Sequence, residues 1–147
     1  VVWFGAKPVL VDCESKENWN ISIDQIEKKI NRNTKAIIAV HIYGYMVDMD
    51  KLSFLAKKYN LYLIEDAAEA MGSTFNGKNA GSSSDISCFS LYSNKIITTG
   101  NGGFYVPTIK IFINWLKKFL FLILMKKLIS NIILLVIILF FPAFRLL

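Results

Sequence analysis

The chain has 147 residues, 54% of them hydrophobic and 19% charged, with a formal net charge of +6. That length allows one domain with its own core, but the positive charge does not describe it. All 11 acids lie in residues 1–106 against an equal number of Lys and Arg, so the excess belongs to residues 107–147. A neutral first part with no interleaving of basic and aromatic residues argues against nucleic-acid binding. Two distant cysteines without a signal peptide, Cys13 and Cys88, suit reduced cytosolic thiols, and a single histidine offers no metal-ligand cluster.

The chain opens on VVWFGAKPVLVD, which reads as the inside of a domain, with Pro8–Asp12 a short buried strand ending in an acid. Ser22 is placed to cap a helix whose apolar positions Ile23, Ile26 and Ile30 repeat at helical spacing, and Asn31-Arg32-Asn33 stops it. Lys35–His41, a near-continuous apolar run, predicts a central parallel strand covered on both faces. Tyr43-Gly44-Tyr45 forms a loop. Asp48 or Asp50 then caps a second helix with Leu52, Leu55, Ala56 and Tyr59 inward, and Leu61–Ile64 is the next buried strand. Strand, helix, strand at this spacing predicts an α/β sheet, which places ligands beyond the carboxyl ends of its strands. Asp66 falls there, and so does the neighbourhood of His41.

Ala67–Ala70 reads as a short helical turn, and Asn76-Gly77 between strand formers as a hairpin. Residues 81–85 form a loop, and Ile86–Leu91 a strand entering the polar bend that carries Lys95. Within that strand Cys88 is expected to be a small buried hydrophobe. Gly103–Val106 is the last strand of this character. An acid at one strand end, Asp66, followed by Ser90 and Lys95 after a second strand, suits a phosphate-bearing cofactor held as a Schiff base.

The blocks EDAAEA-x-G, G-K-x-x-G-S-x-x-D-I-x-C-F-S and N-K-I-I-T-T-G-x-G-G follow one another in this order between Glu65 and Gly103. In these, the chain resembles the DegT/DnrJ/EryC1/StrS sugar aminotransferases, closest to the branch that makes 4-amino sugars such as perosamine. The resemblance covers about Trp3–Val106. It implies part of the fold type I aminotransferase large domain, a mainly parallel sheet covered by helices. It also implies pyridoxal 5′-phosphate (PLP) as cofactor, with a nucleotide-linked keto-sugar and glutamate as substrates. Lys95 takes the place of the catalytic lysine that holds the cofactor and shuttles the proton. Asp66 takes that of the partner of the pyridine nitrogen, Ser90 that of a phosphate ligand, and Glu69 that of a residue beside the ring and its 3′-hydroxyl. His41 matches a position near the active-site floor, where a satisfied core histidine is an equal reading. Intact members are cytoplasmic homodimers with composite sites. A dehydratase branch carries His at the lysine position, so Lys95 favours transamination.

The resemblance stops at Val106. Residues 107–147 contain no Gly, Asp or Glu, and the run Leu128–Phe141 is interrupted only by Ser130 and Asn131. Two domains are therefore expected: residues 1–106, a partial large domain, and residues 107–147, an unrelated hydrophobic, basic tail. The abrupt change reads as a translated frameshift, with a membrane segment as the alternative. The family's phosphate-binding Gly-Thr-x-Ala segment, its ring-stacking aromatic and its small domain have no counterpart here. The chain is accordingly expected to be an inactive or weakly active fragment, or else a non-enzymatic membrane-associated remnant.

Overall fold

The computed structural model describes residues 1–129. The chain divides into two units, Val1–Val106 and a second that begins at Pro107. In the first, helix α1 (Ile23–Lys29) leads to strand β1 (Ala36–Val40), helix α2 (Met49–Lys58) and strand β2 (Tyr62–Asp66). A hairpin, β3 (Thr74–Phe75) and β4 (Lys78–Asn79), precedes β5 (Ile86–Ser90) and β6 (Gly103–Pro107). The main sheet has the order β1-β2-β5-β6, and β1, β2 and β5 run parallel. Such an α/β sheet with helical crossovers is the expected fold class.

Local chemistry accounts for the elements. Asp48 is the cap of α2, its Oδ1 accepting from the Lys51 N–H at 3.0 Å. Ser22 occupies the N-cap position of α1 without a side-chain bond. Asn76 and Gly77 both take positive φ, 49° and 74°, as a two-residue hairpin turn requires. Gly103 permits a close approach of β6 to β5, because a Cβ there would collide with the Phe89 carbonyl oxygen. The rings of Phe89 and Phe104 stack across this contact at 5.0 Å.

The core lies between α1, α2 and one face of the sheet. Ile26, Leu52, Leu55, Ala56, Ile37, Ala39 and Leu63 are buried in it. The opposite face is not covered by the described residues: along β1, buried Ile37 and Ala39 alternate with Ile38 and Val40, each about 40% exposed. Five expectations are corrected here. Among the described residues the sheet is covered on one face, β1 is an edge strand rather than a central one, and Pro8–Asp12 is not a strand. Val9 and Leu10 there are exposed, and the one ladder contact nearby is an isolated bridge between Cys13 and Ile21. Cys88 is an exposed free thiol, because strand alternation gives the inward position of β5 to Ser87. Tyr59 also stays partly exposed, with its hydroxyl donating to Glu27 at the end of α2.

A charged network sits inside this core. His41 and Glu65 are both fully buried, with His41 Nε2 2.9 Å from Glu65 Oε1. The Val47 N–H donates to His41 Nδ1 at 3.2 Å, so the ring proton lies on Nε2 and points to the carboxylate. The Gly81 N–H also donates to Glu65 Oε1, at 2.5 Å. Burial pushes the Glu65 carboxyl up, but the bonds from His41 and Gly81 to Oε1 outweigh it and hold the group below its usual range.

In the second unit, α3 runs Ile109–Ile129. Among the described residues no helix is long and apolar enough to cross a membrane. The apolar run Leu128–Phe141 lies almost wholly outside the described residues.

The lowered Glu65 carboxyl makes stability rise with pH. Its contribution is present above the unfolded-state range and is lost as pH falls through the folded value. Glu65→Gln should flatten the acid limb of urea unfolding below about pH 5, where the wild-type carboxylate takes up its proton. Glu65→Ala should destabilise at neutral pH by about 1–3 kcal/mol, since it strands a buried imidazole N–H. An unchanged acid limb in Glu65→Gln would show that another carboxylate governs it.

Candidate active site

The parallel register sets the site. Val40 lies opposite Asp66, and Asp66 opposite Cys88, so β1, β2 and β5 end along one edge of the sheet. Ligands bind beyond such carboxyl ends. Three segments leave that edge: the turn Ile42–Gly44 after β1, the turn around Ala67–Ala70 after β2, and the bend from Leu91 to Gly102 after β5.

These segments meet at Glu69. Its Oε2 accepts from the backbone N–H of Tyr43 at 3.0 Å, and Tyr43 holds a left-handed φ of 52°. Its Oε1 lies 3.3 Å from Lys95 Nζ. The Tyr43 N–H foremost, with the Lys95 ammonium, holds the Glu69 carboxyl below its usual range. Lys95 is well enclosed, its side chain 18% exposed, and its own N–H donates to the Tyr92 carbonyl oxygen at 3.0 Å. Ser90 closes the last strand residue of β5, where its Oγ accepts from the Tyr92 N–H at 3.2 Å.

An open depression of about 200 Å³ is lined by Tyr43, Glu69, Met71, Ser90, Asn94 and Lys95, among others. Three of the four residues singled out in the sequence, Glu69, Ser90 and Lys95, are thus brought together. Asp66 does not line the depression. It sits two residues before Ala68, which does, on the outward face of β2, with Oδ1 accepting from the Ala68 N–H at 3.1 Å. Partial desolvation, and then the neighbouring Asp66 carboxylate, push the Cys88 thiol up. His41 faces the core instead, with both ring nitrogens engaged, and so is the satisfied core histidine. Among the described residues no group of His, Cys, Asp and Glu could hold a metal ion.

The sequence assigned no role to Tyr43 beyond a loop, although its backbone supplies the bond that orients Glu69. Nothing in the residue type announces this, since the donor is an amide. Glu65 and Asn20 carry a fainter signal. Glu65 shares the inward alternation of Leu63, and Asn20 is a buried side chain joining the Tyr45 carbonyl to the Ile42 N–H.

A profile of the DegT/DnrJ/EryC1/StrS aminotransferase family matches residues 1–108. The chain belongs to this family. A GDP-perosamine synthase of Escherichia coli O157:H7 is 48% identical over 110 residues, which are 75% of this chain and 30% of that protein. Among solved structures, an aminotransferase from Psychrobacter cryohalolentis is 41% identical with a TM-score of 0.68, over 73% of this chain and 27% of its own. The Streptococcus pneumoniae protein Spr1654 in its PLP form is 30% identical with a TM-score of 0.65, over 72% of this chain and 31% of its own. The chain therefore spans about a third or less of the length of the relatives it matches.

Glu69→Ala should release Lys95. Because a partly exposed pair is weak, acylation of Lys95 by an amine reagent should quicken only about two- to fivefold. The rates at Lys57 and Lys35 should not change, as read by peptide mapping. Equal Lys95 rates in the two proteins would show that the pair is not populated in solution.

Proposed function

We propose that residues 1–106 form the lysine-bearing part of the large domain of a PLP-dependent sugar aminotransferase. Its reaction is transfer of an amino group from glutamate to a nucleotide-linked keto-sugar, in amino-sugar and polysaccharide biosynthesis. The observation that carries this reading is the convergence of Lys95, Glu69 and Ser90 in one depression beyond the carboxyl ends of parallel strands. Its similarity to the GDP-perosamine synthases of Escherichia coli O157:H7 and Vibrio cholerae supports it.

The donor set suits the cofactor. Ser90 Oγ accepts one backbone bond and keeps its hydroxyl hydrogen for a phosphate oxygen. Asp66 bonds to protein through Oδ1 among the described residues, so a second carboxylate oxygen remains to accept from a protonated pyridine nitrogen. Lys95 offers an enclosed primary amine beside a carboxylate. When bound, PLP supplies an electron sink for the negative charge that develops on the substrate carbon. Lys95 is the residue that holds the cofactor, and Nζ afterwards takes and returns the proton at the reacting carbon. Glu69 keeps that amine over the depression, and would lie beside the ring and its 3′-hydroxyl were the cofactor bound. The substrate's nucleotide and the donor carboxylate need residues outside the matched third, supplied in intact homodimeric members by the rest of the chain and the partner. By sequence, residues 107–147 are a second, hydrophobic and basic segment, and the free thiols Cys13 and Cys88 suit the cytoplasm.

The test is chemical trapping. The chain is incubated with PLP, reduced with borohydride and mapped, and Lys95 should carry the label ahead of every other lysine. Ser90→Ala should raise the PLP concentration needed by about tenfold, the loss of one hydrogen bond to a charged group. Label spread evenly over surface lysines, with Lys95→Ala unaffected, would end this reading.

A further inference from the structure

The first three turns of α3 sort their residues by chemistry. At 3.6 residues per turn, Lys110, Asn114, Lys117 and Lys118 share one side of the helix, and Phe112, Trp115 and Phe119 fall on the other. The aromatic side is ordered: Phe112 and Trp115 stack at 6.2 Å, and Trp115 and Phe119 stack at 5.3 Å with planes 8° apart. Phe112, Trp115, Ile113 and Leu116 are each between 42% and 49% exposed. In water this is a continuous apolar stripe backed by cations. Residues 107–147 contain six Lys and Arg and no acid, so nothing in that segment neutralises the lysines.

We propose that α3 docks on an anionic bilayer surface. The Phe112–Trp115–Phe119 stripe lies at the boundary between headgroups and acyl chains, and Lys110, Lys117 and Lys118 bond anionic headgroups. Charge complementarity selects the occupant. Aromatic rings with a cationic opposite face are the make-up of helices that lie in the membrane interface, and lysine stems reach from the apolar boundary to the headgroups. A bilayer accepts Ile, Leu, Phe and Trp without shape matching, whereas a protein partner must supply a fitted groove and acids in register. The uncharged run Leu128–Phe141 adds apolar sequence next to the helix whatever its conformation. The inference does not rest on the aminotransferase reading, and it holds for the polypeptide whichever reading frame encoded residues 107–147.

Flotation of the whole chain in a density gradient tests it, because aggregates sink while vesicle-bound protein rises. The chain should float with phosphatidylcholine vesicles containing phosphatidylglycerol, float far less with phosphatidylcholine alone, and be released by high salt. Replacing Lys110, Lys117 and Lys118 by Gln should weaken partition to the anionic vesicles roughly a hundredfold, and by Glu further. Trp115→Ala with Phe119→Ala should weaken it at least about tenfold. In a Trp3→Phe, Trp19→Phe background, Trp115 emission should move to shorter wavelength on the anionic vesicles. Equal flotation with neutral vesicles, wild-type flotation of the Gln and Glu variants, or no shift of Trp115 on a chain that floats would each overturn the proposal. So would a chain that stays down with all vesicles, including one held instead by a protein partner.

Discussion

The buried Glu65–His41 pair holds together the edge of the sheet on which the site is built. It joins the residue just past β1 to the inward face of β2, and through the Gly81 N–H it reaches the loop leading to β5. A carboxylate with no access to water is tolerated only when its hydrogen bonds are supplied from fixed positions. Those positions fix the three segments relative to one another. Because strand side chains alternate, an anchored Glu65 also obliges Asp66 to face the other way. Two adjacent acids of similar chemistry therefore serve different ends, one inside the core and one on the open face.

The site itself depends on a second carboxylate. Glu69 has no strand to hold it. Its direction comes from the Tyr43 amide, which the left-handed turn after β1 aims at Oε2, and from the Lys95 amine at Oε1. The turn after β1 and the bend after β5 thus meet through one side chain from the segment between them. This gathers Lys95 and Ser90 into one depression without any contact between distant strands. A partly exposed ion pair adds little to stability. Its use is positional, in keeping an amine pointed into the depression.

The two units obey different physics. In the first, apolar residues alternate or recur at helical spacing, acids balance bases, and one sheet face is packed by α1 and α2. In the second, apolar residues predominate, acids are absent and all the charge is positive. The first pattern specifies a folded α/β core. The second suits a non-specific apolar phase next to anions, where shape matters little.

The alternation and caps of α1, α2, β1, β2 and β5 were legible in the sequence because they are local. Helical period, an Asp48 cap and an Asn-Gly turn act over a few residues and need no distant partner. Glu65–Asp66, Ser90 and Lys95 were legible too, since their spacing in the chain carries the family resemblance. Pro8–Asp12 was misread because a strand needs a neighbour and this segment has only a single bridge. Cys88 and the supposed second covering of β1 were misread because an apolar run does not reveal how many of its faces are packed. The sequence by itself determined α1, α2 and the parallel strands, and it pointed to Asp66, Glu69, Ser90 and Lys95 as the candidates for chemistry. Only the tertiary structure decided that His41 closes on Glu65 rather than on a ligand, that Tyr43 orients Glu69, and that Lys95 pairs with Glu69. Each of those contacts joins residues far apart in the chain or runs through a backbone amide, which every residue type but proline carries.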